Sequence, residues 1–301
     1  MSNPVTDEFA LDDEGKQALG ELLSFKEGAD SGESLNEMAH DWDLLNETCL
    51  SIIEGHAADE GPMRTFVVSF LTDTYGFFSP TDANRAGGAA CQLGALYYTG
   101  ELDEGHEPDY AKAVEWYENG SRMGNVQALI NLGYCYQYGR SVKRDASQAY
   151  DCFLRAALIS SAPEAYYKLG DMYRYGHGIQ KDERIAGTLY EKALVAMREQ
   201  DEDCDATMPE IAGSIYHRLA DMRMMHMYPS LLAYGQEEAN GTDDSDRTYE
   251  EELFGERLKI LELYQAAERC YRLAILNGYG YYAKNLNGVL AKQDELRELL
   301  N

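Results

Sequence analysis

The sequence predicts an all-α fold, an α-solenoid of antiparallel helix pairs, and three observations lead to this prediction. The first is a pattern that occurs three times: Ala, Leu four residues later, Gly directly after Leu, Tyr four residues after Leu, and a closing Gly. The copies are Ala89–Gly100, Ala128–Gly139 and Ala165–Gly176. The second is the spacing, because the Leu residues of the copies are 39 and 37 positions apart, and repetition at about 20–50 residues is typical of solenoids.

The third observation is that a second predicted helix with its own pattern follows each copy. In it, an aromatic residue comes four positions after a small residue, and another small residue comes three positions after the aromatic one. The aromatic residues are Tyr117, Phe153 and Tyr190. Aspartates stand where the N-caps of these helices are expected; they are Asp109, Asp145 and Asp182. The three clear repeats occupy residues 81–200.

The recurring glycines are predicted to be structural. Gly inside a helix costs about 1 kcal/mol relative to Ala, so its repeated position after Leu predicts the close approach of a neighbouring helix. We expect the Ala of the second helix to meet this Gly, with the aromatic residue filling the space beside it. The closing glycines are predicted to be left-handed C-caps; they are Gly100, Gly139 and Gly176.

Residues 1–80 are predicted to form a helical cap, because the exposed end of a repeat array needs a covering. Apolar residues between Leu35 and Ile53 follow three- and four-residue steps, which predicts an amphipathic helix. Ser34 and Glu37 suit a capping box at its start. Pro62 is expected in the first turn of a further helix that ends at about Tyr75.

Residues 201–301 are predicted to hold a degenerate fourth repeat. Its first helix is expected from Ile211 to about Met227, with Leu219-Ala220 as a weak copy of Leu-Gly, and Ala267–Ala274 repeats the second-helix pattern. Between them, Pro229–Tyr249 is rich in helix-breaking and acidic residues, which predicts a long loop or a partly disordered insertion. The helix from Tyr281 to about Leu299 is expected to close the array as a polar cap.

The combined pattern resembles the Sel-1-like repeat, a relative of the tetratricopeptide repeat. It runs Ala-x-x-x-Leu-Gly-x-x-Tyr-x-x-Gly and continues as Asp-x-x-x-Ala-x-x-Trp-Tyr. The resemblance is strong over about Ala86–Met197, weak over residues 206–290 and absent from the first 80 residues, and the Trp-Tyr pair survives only as Trp116-Tyr117. It implies a right-handed superhelix of paired helices whose concave face serves as an adaptor for other proteins, and it identifies no partner.

If the first helices line that concave face, the residues that vary between the copies are candidates for partner binding. At about 100° per residue, the side of the helix opposite Ala128 and Leu132 carries Tyr134 and Gln137. Tyr is common in interfaces because it offers a large amphipathic surface with few rotamers. The alternative is that half of these tyrosines pack between helices. The candidate partner-binding residues are Tyr98, Tyr134, Gln137, Tyr167, Asp171 and Arg174.

The net charge of −27 limits the classes of partner. It argues against nucleic acid, whose binding needs clustered Lys and Arg, and against anionic membrane surfaces. It favours solubility and, beyond that, a protein or peptide partner with a basic segment. The chain begins with no secretory signal, and none of its apolar runs approaches the length of a membrane helix, about 18 residues. Because its six cysteines also lack CxxC spacing, we expect a cytoplasmic protein.

No cofactor, metal ion or catalytic residue is predicted. The six histidines show no metal-binding spacing, and the sequence has no phosphate loop, dinucleotide fingerprint or nucleophile elbow. Asp201-x-Asp203-x-Asp205 resembles the start of a calcium loop, but Ala206 and Ala212 stand where Gly and Glu are needed. The leading hypothesis is therefore a non-catalytic interaction scaffold. The alternative is a hydrolase or penicillin-binding protein related to secreted cysteine-rich repeat proteins, which carry a signal peptide and regularly spaced cysteines.

Overall fold

The computed structural model describes residues 61–100, 107–237 and 243–300, and all regular structure in these ranges is helical. The predicted all-α solenoid class is confirmed. The helices are α1 Gly61–Phe78, α2 Ala83–Thr99, α3 Tyr110–Arg122, α4 Val126–Tyr138, α5 Ala146–Ser160, α6 Pro163–Tyr175, α7 Glu183–Gln200, α8 Cys204–Thr207, α9 Pro209–Glu237, α10 Asp243–Leu276 and α11 Ala283–Leu300, with a 3-10 turn at Gly280–Tyr282.

The chain divides into two compact units, Met1–Cys152 and Phe153–Asn301, with the boundary inside α5. In the first unit α2 packs against α1, α3 and α4. In the second unit α6 packs against α7, and α9 packs against α6, α7 and α10. Helix α11 then packs on α10. In the pairs α2–α3, α6–α7 and α9–α10 the first helix contacts its own second helix, and within each unit consecutive first helices are in contact, α2 with α4 and α6 with α9.

The predicted helix ends are confirmed. The carboxylates of the three aspartates accept backbone N–H groups in the first turns of α3, α5 and α7, which satisfies donors that have no partner inside the helix. The closing glycines are left-handed, with φ of 79° at Gly100, 71° at Gly139 and 70° at Gly176. Each repeat therefore begins its second helix and ends its first with the residues that the pattern supplies.

The partner of the recurring helix glycine is the aromatic residue of the second helix, and our expectation of Ala in that place is wrong. A Cβ built on Gly94 would lie 2.5 Å from the ring of Tyr117, and one on Gly170 would lie 2.6 Å from the ring of Tyr190. The missing side chain therefore makes room for a flat ring, which lies directly on the backbone of the first helix. The Ala residues of the second helices are fully buried in the same layer, as Ala113 and Ala186 show.

The same packing identifies a fourth helix pair, α9 and α10, in a register that differs from the predicted one. A Cβ on Gly213 would lie 2.9 Å from Cys270 Cβ and 3.0 Å from the Tyr271 ring. Ala212-Gly213 is therefore the equivalent of Leu-Gly, and Leu219-Ala220 lies two turns further along α9. The predicted role of Tyr271 as the aromatic residue of the second helix is confirmed.

The predicted insertion is largely helical, which corrects our expectation of a long loop. Helix α9 continues through Pro229 to Glu237, and α10 begins at Asp243; residues 238–242 lie outside the described residues. Leu, Ala, Gln and Glu have high helix propensity, and they outnumber the breakers between residues 230 and 237. Pro229 and Gly235 therefore do not end helix α9.

The two ends of the chain agree in part with the predictions. Helix α1 begins one residue before Pro62 and runs to Phe78, three residues beyond the predicted end. The amphipathic helix with Ser34 and Glu37 falls outside the described residues. The closing helix is preceded by a 3-10 turn, so α11 begins at Ala283. No helix in the described parts of the chain has the length and apolar character needed to cross a membrane.

Candidate partner-binding site

The structure separates the six candidate residues into two groups. Tyr98, Tyr134 and Gln137 lie in the first unit, and Tyr167, Asp171 and Arg174 lie in the second. Each group has its own surroundings. In the second unit the three residues belong to a network of polar side chains between α6 and α9, which we call the charged network.

Asp171 is the centre of the charged network. Its Oδ1 accepts hydrogen bonds from Tyr190 Oη at 2.7 Å and from Arg218 Nε at 2.5 Å. Arg218 Nη2 donates to Asp171 Oδ2 at 3.3 Å. The hydroxyl that reaches Asp171 belongs to the ring that packs on Gly170. The carboxylate therefore joins the repeat's own second helix to the first helix of the next repeat.

Arg174 makes a second connection between the same two helices. Its Nη1 donates to the main-chain oxygen of Arg218 at 3.1 Å, and its Nη2 donates to Asp221 Oδ2 at 3.4 Å. Asp221 also accepts a hydrogen bond from Tyr264 Oη at 2.9 Å. The Arg174 side chain is only 11% exposed. The positive charge of Arg174 is therefore engaged by groups of this protein, Asp221 and the main-chain oxygen of Arg218.

His217 completes the charged network. Its Nδ1 lies 3.2 Å from Tyr271 Oη, and its Nε2 lies 3.7 Å from Asp221 Oδ1. Burial lowers the pKa of His217, Asp221 opposes that change, and Arg218 and Arg174 reinforce it. A neutral imidazole suits this position between two guanidinium groups.

Tyr167 is buried, with 7% of its surface exposed. The Arg218 guanidinium lies over its ring at 5.5 Å from the centroid, and the Lys168 ammonium lies at 4.7 Å. Its ring also packs against that of Tyr190 at 6.2 Å. Tyr167 is thus one of the tyrosines that pack between helices, and its role in partner binding stays a prediction, as do those of Asp171 and Arg174.

Sequence reasoning missed the α9 side of this network. Arg218 and Asp221 stand three positions apart on one helix, which is a common surface ion-pair spacing. Their actual partners are 47 residues away on α6. No local pattern indicates that separation, because it depends on the register in which α9 packs against α6. Placing Gly213 in register with Gly170 would have brought the four residues onto adjoining helices.

In the first unit, Tyr98 lies in an aromatic cluster at the end of α2. Its ring centroid is 5.1 Å from that of Tyr110, in an edge arrangement, and 6.5 Å from that of Tyr117. The guanidinium of Arg140, just after α4, lies over the Tyr110 ring at 4.9 Å. Burial raises the pKa of Tyr98, and the positive charge of Arg140 opposes the rise. Tyr98 is therefore held against the C-terminal end of α4.

Tyr134 and Gln137 lie on α4 itself, next to an exposed tyrosine that the sequence analysis did not include. Tyr134 stacks on Tyr138 with centroids 6.1 Å apart and planes within 5°, the i,i+4 spacing of a helix face. Tyr138 is 58% exposed. The Oε1 atom of Gln137 is buried and accepts no hydrogen bond from the described residues. We call Tyr134, Gln137 and Tyr138 the tyrosine face.

Metal-binding clusters and reactive thiols are two kinds of site for which the described residues can be checked. They contain no group of three or more His, Cys, Asp or Glu side chains arranged to hold a metal ion. The described cysteines are free thiols. Burial raises the pKa of Cys135 to about 11 and those of Cys91 and Cys270 to about 12. These thiols are protonated at neutral pH and are poor nucleophiles, because the thiolate is the reactive form.

Comparison with known proteins agrees with this architecture. The family model described as the Sel1 repeat matches residues 88–125, 126–159 and 163–194. Each match covers one helix pair: most of α2 with α3, then α4 with α5, then α6 with most of α7. Consecutive matches meet at residues 125/126 and 159/163, next to the short connections between the pairs. Two of the three matched units, α2 with α3 and α6 with α7, are pairs in which the Gly–aromatic packing is seen.

Two curated relatives match parts of the chain. An ERAD-associated E3 ubiquitin-protein ligase component, HRD3B of Arabidopsis thaliana, is 35% identical over 86 residues, which are 29% of this chain and 14% of the relative. Protein sel-1 homolog 2 of Mus musculus is 30% identical over 130 residues, which are 43% of this chain and 17% of the relative. The chain thus spans about a sixth of the length of these relatives.

Two solved structures are similar. A Sel1 repeat protein from Oxalobacter formigenes is 26% identical, with a TM-score of 0.35 over 46% of this chain and 97% of that one. A protective antigen of uropathogenic Escherichia coli strains, described as displaying an SLR fold, is 19% identical, with a TM-score of 0.43 over 90% of this chain and 67% of that one. From its three matched repeats and its relatives, the chain is a Sel1-like repeat protein.

Proposed function

We propose that this protein is a non-catalytic scaffold that binds a polypeptide segment of a partner protein along the first helices of its repeats, on the concave face of the solenoid. Sel1 repeats support a role in protein–protein interaction. The relative from Arabidopsis thaliana is named as a component of an ERAD-associated E3 ubiquitin-protein ligase. The role of interaction scaffold rests on these repeats, and the location of the binding face is our own proposal.

The observation that carries the choice of face is the stacked pair Tyr134 and Tyr138 on α4. Tyr138 exposes 58% of its surface on a helix whose repeat-defining residues are buried. Aromatic rings that are already stacked lose little side-chain entropy on binding, and they offer apolar area with a polar hydroxyl.

The chemistry of the partner follows from charge at long range. A net charge of −27 attracts cationic proteins over distances set by the ionic strength. A partner with a basic segment, and neither nucleic acid nor a membrane surface, is therefore the proposed class for encounter. Buried free thiols suit a reducing compartment, and the cytoplasm is the compartment that we propose.

The experiment is affinity capture with the tagged full chain and two matched double variants. Tyr134→Ala with Tyr138→Ala removes the tyrosine face. Tyr279→Ala with Tyr281→Ala removes a similar pair of exposed rings, 6.1 Å apart, at the turn before α11. We expect the first variant to lose a captured protein that the wild type and the second variant retain. Equal recovery of that protein with all three chains contradicts the proposed face, provided that the three melt at similar temperatures.

A further inference from the structure

The charge of the chain is unevenly distributed. Although the net charge is −27, residues 119–144 contain four basic side chains and no Asp or Glu. One of the four, Arg122, is paired with Glu118 on α3 at 3.2 Å. The other three are Arg140, Lys143 and Arg144, directly after α4, and we call them the basic corner. They follow the tyrosine face along the chain without interruption.

The turn that carries the basic corner is held in place by the backbone. Gly139 and Ser141 have positive φ of 71° and 51°, which reverses the chain sharply. The N–H of Arg140 donates to Cys135 O, and the N–H of Asp145 donates to Tyr136 O, both at 3.0 Å. Both ends of the turn are thus tied to the last turn of α4. Groups that are already positioned lose less entropy when a ligand binds.

The three cations make no ion pair with a carboxylate among the described residues. The ion pairs described in this unit join Arg85 to Asp82, Lys112 to Asp109 and Arg122 to Glu118. Lys143 and Arg144 are exposed. The Arg140 guanidinium is stacked over the Tyr110 ring, which positions it, and no carboxylate of the described residues forms an ion pair with it. Asp145, the nearest carboxylate along the chain, accepts the N–H groups of Ser147 and Gln148.

A segment bound at the basic corner interacts mainly with the charges close to it, because the field of distant charges is screened over about 8 Å at physiological ionic strength. Arg and Lys bind carboxylates through charge-assisted hydrogen bonds, and Arg does so with two parallel bonds. An adjoining pair of tyrosine rings favours an apolar or aromatic neighbour of those carboxylates. A long polyanion would meet the acidic remainder of the chain and be repelled by it. A short acidic segment of a folded protein would not extend that far.

We propose that the basic corner binds an acidic segment of the partner polypeptide, with its Asp or Glu side chains on Arg140, Lys143 and Arg144 and an apolar side chain on Tyr134 and Tyr138. This inference rests on the proposed function and names the chemistry of the segment bound at that face. The charge of this segment is negative, whereas the net charge of the chain attracts positively charged proteins at long range. Attraction by the whole chain governs encounter, whereas the corner governs which segment is held.

The test uses a short fluorescein-labelled peptide of alternating Glu, Phe and Ser, and a matched peptide with Lys in place of Glu. Their binding to the full chain is measured by fluorescence anisotropy at physiological salt. The variant Lys143→Glu with Arg144→Glu reverses two charges of the corner. The control, Arg184→Glu with Lys192→Glu, makes the same change at exposed positions of α7. Both variants are checked for an unchanged melting temperature.

We expect the acidic peptide to bind the wild type and the control, and to bind the corner variant about tenfold more weakly, since close charge pairs carry couplings of that order or more. No binding to the wild type, a preference for the Lys peptide, or equal weakening in both variants overturns the inference. Binding of single-stranded RNA or of anionic vesicles in place of the peptide, lost in the same variant, also overturns it.

Failure of this inference is distinguishable from failure of the proposed function. If the Tyr134 and Tyr138 variant loses its captured partner while the corner variant retains it, the scaffold face stands and the acidic segment is rejected. If the acidic peptide binds at the corner while the tyrosine variant retains every captured protein, the proposed face fails and the corner stands as an acidic-peptide site.

Discussion

Adding one methyl group to Gly170 tests the Gly–aromatic packing that is seen in the pairs α2–α3, α6–α7 and α9–α10. The substitution Gly170→Ala builds a Cβ at 2.6 Å from Tyr190 Cε1 and 2.8 Å from Cδ1, whereas carbon atoms prefer separations of about 3.5–4.0 Å. The ring must therefore move by about 1 Å. It has little freedom to do so, because Tyr190 is fully buried and its hydroxyl donates to Asp171 at 2.7 Å.

Two opposing contributions determine the size of the effect. Ala gains about 1 kcal/mol over Gly inside a helix, and overpacking a well-packed site costs about 1–3 kcal/mol, occasionally more. With a ring held from two sides we expect the upper part of that range, so the net loss is about 1–2 kcal/mol. For a unit of this size the melting temperature would fall by roughly 2–8 °C.

Gly288→Ala is the matched control for this prediction. Gly288 lies inside α11, and a Cβ there meets nothing within 4 Å, so only the gain in helix propensity remains. We expect this variant to be more stable by about 0.5–1 kcal/mol. Both changes are measured by urea unfolding followed by circular dichroism, with stability taken from the midpoint at constant slope.

A double-mutant cycle identifies the ring as the cause. In a Tyr190→Leu background, Gly170→Ala should cost at least about 0.5–1 kcal/mol less than in the wild type, because contacting residues couple by that order. If Gly170→Ala stabilises the protein as much as Gly288→Ala does, or if its cost is the same in both backgrounds, the Gly–aromatic account of the repeat is refuted.

Three further predictions concern the charged network and the helix ends. Asp171→Asn should lower the free energy of unfolding by roughly 1–3 kcal/mol. This is less than the loss of about 3–5 kcal/mol on breaking a fully buried ion pair, because Arg218 is partly exposed. Urea unfolding measures the change, and an unchanged midpoint would contradict the stabilising role of the charged network. The pKa of His217 is lowered from 6.5 by burial, with Asp221 opposing and Arg218 and Arg174 reinforcing the shift. The unfolded chain therefore binds this proton more readily than the folded one, so the stability that neutral His217 contributes is complete above about pH 6.5 and is lost as the pH falls towards the folded pKa. Between about pH 6.5 and lower pH, the melting temperature of His217→Gln should fall less steeply than that of the wild type. Parallel plots of melting temperature against pH would exclude His217 as the cause. Gly139→Ala places a Cβ at φ 71° and should cost about 1 kcal/mol in thermal melts, whereas the same change at Gly255, where a Cβ meets nothing within 4 Å, should not.

The sequence predicts well the parts of the fold that depend on local chemistry. Asp109 and Asp182 cap helices, and Gly100 ends one, because each is decided by a few neighbouring backbone groups. The pairing of α9 with α10 follows from the pattern around Tyr271. The register within that pair does not, because Leu-Gly became Ala212-Gly213 and the more similar-looking Leu219-Ala220 lies two turns away.

The candidate site is predicted only in part, for a physical reason. The face opposite the repeat-defining residues of α6 does carry Asp171 and Arg174, as the helix period requires. Whether that face meets a partner or the next first helix depends on residues 47 positions away. Tyr134 and Gln137 share the same rule of selection but lie beside the exposed Tyr138. Helix geometry therefore selects the face, and tertiary packing decides which of its residues are available.

The central claim is that the tyrosine face contacts a partner protein, and site-specific photo-cross-linking tests it most directly. p-Benzoylphenylalanine replaces Tyr138, which is 58% exposed, or Tyr281, which is 69% exposed, as the control. The account predicts a cross-link from position 138 to a peptide of another protein, weakened when Lys143 and Arg144 are changed to Glu, and none from position 281. Cross-links of equal yield from both positions, or none from position 138, would contradict it.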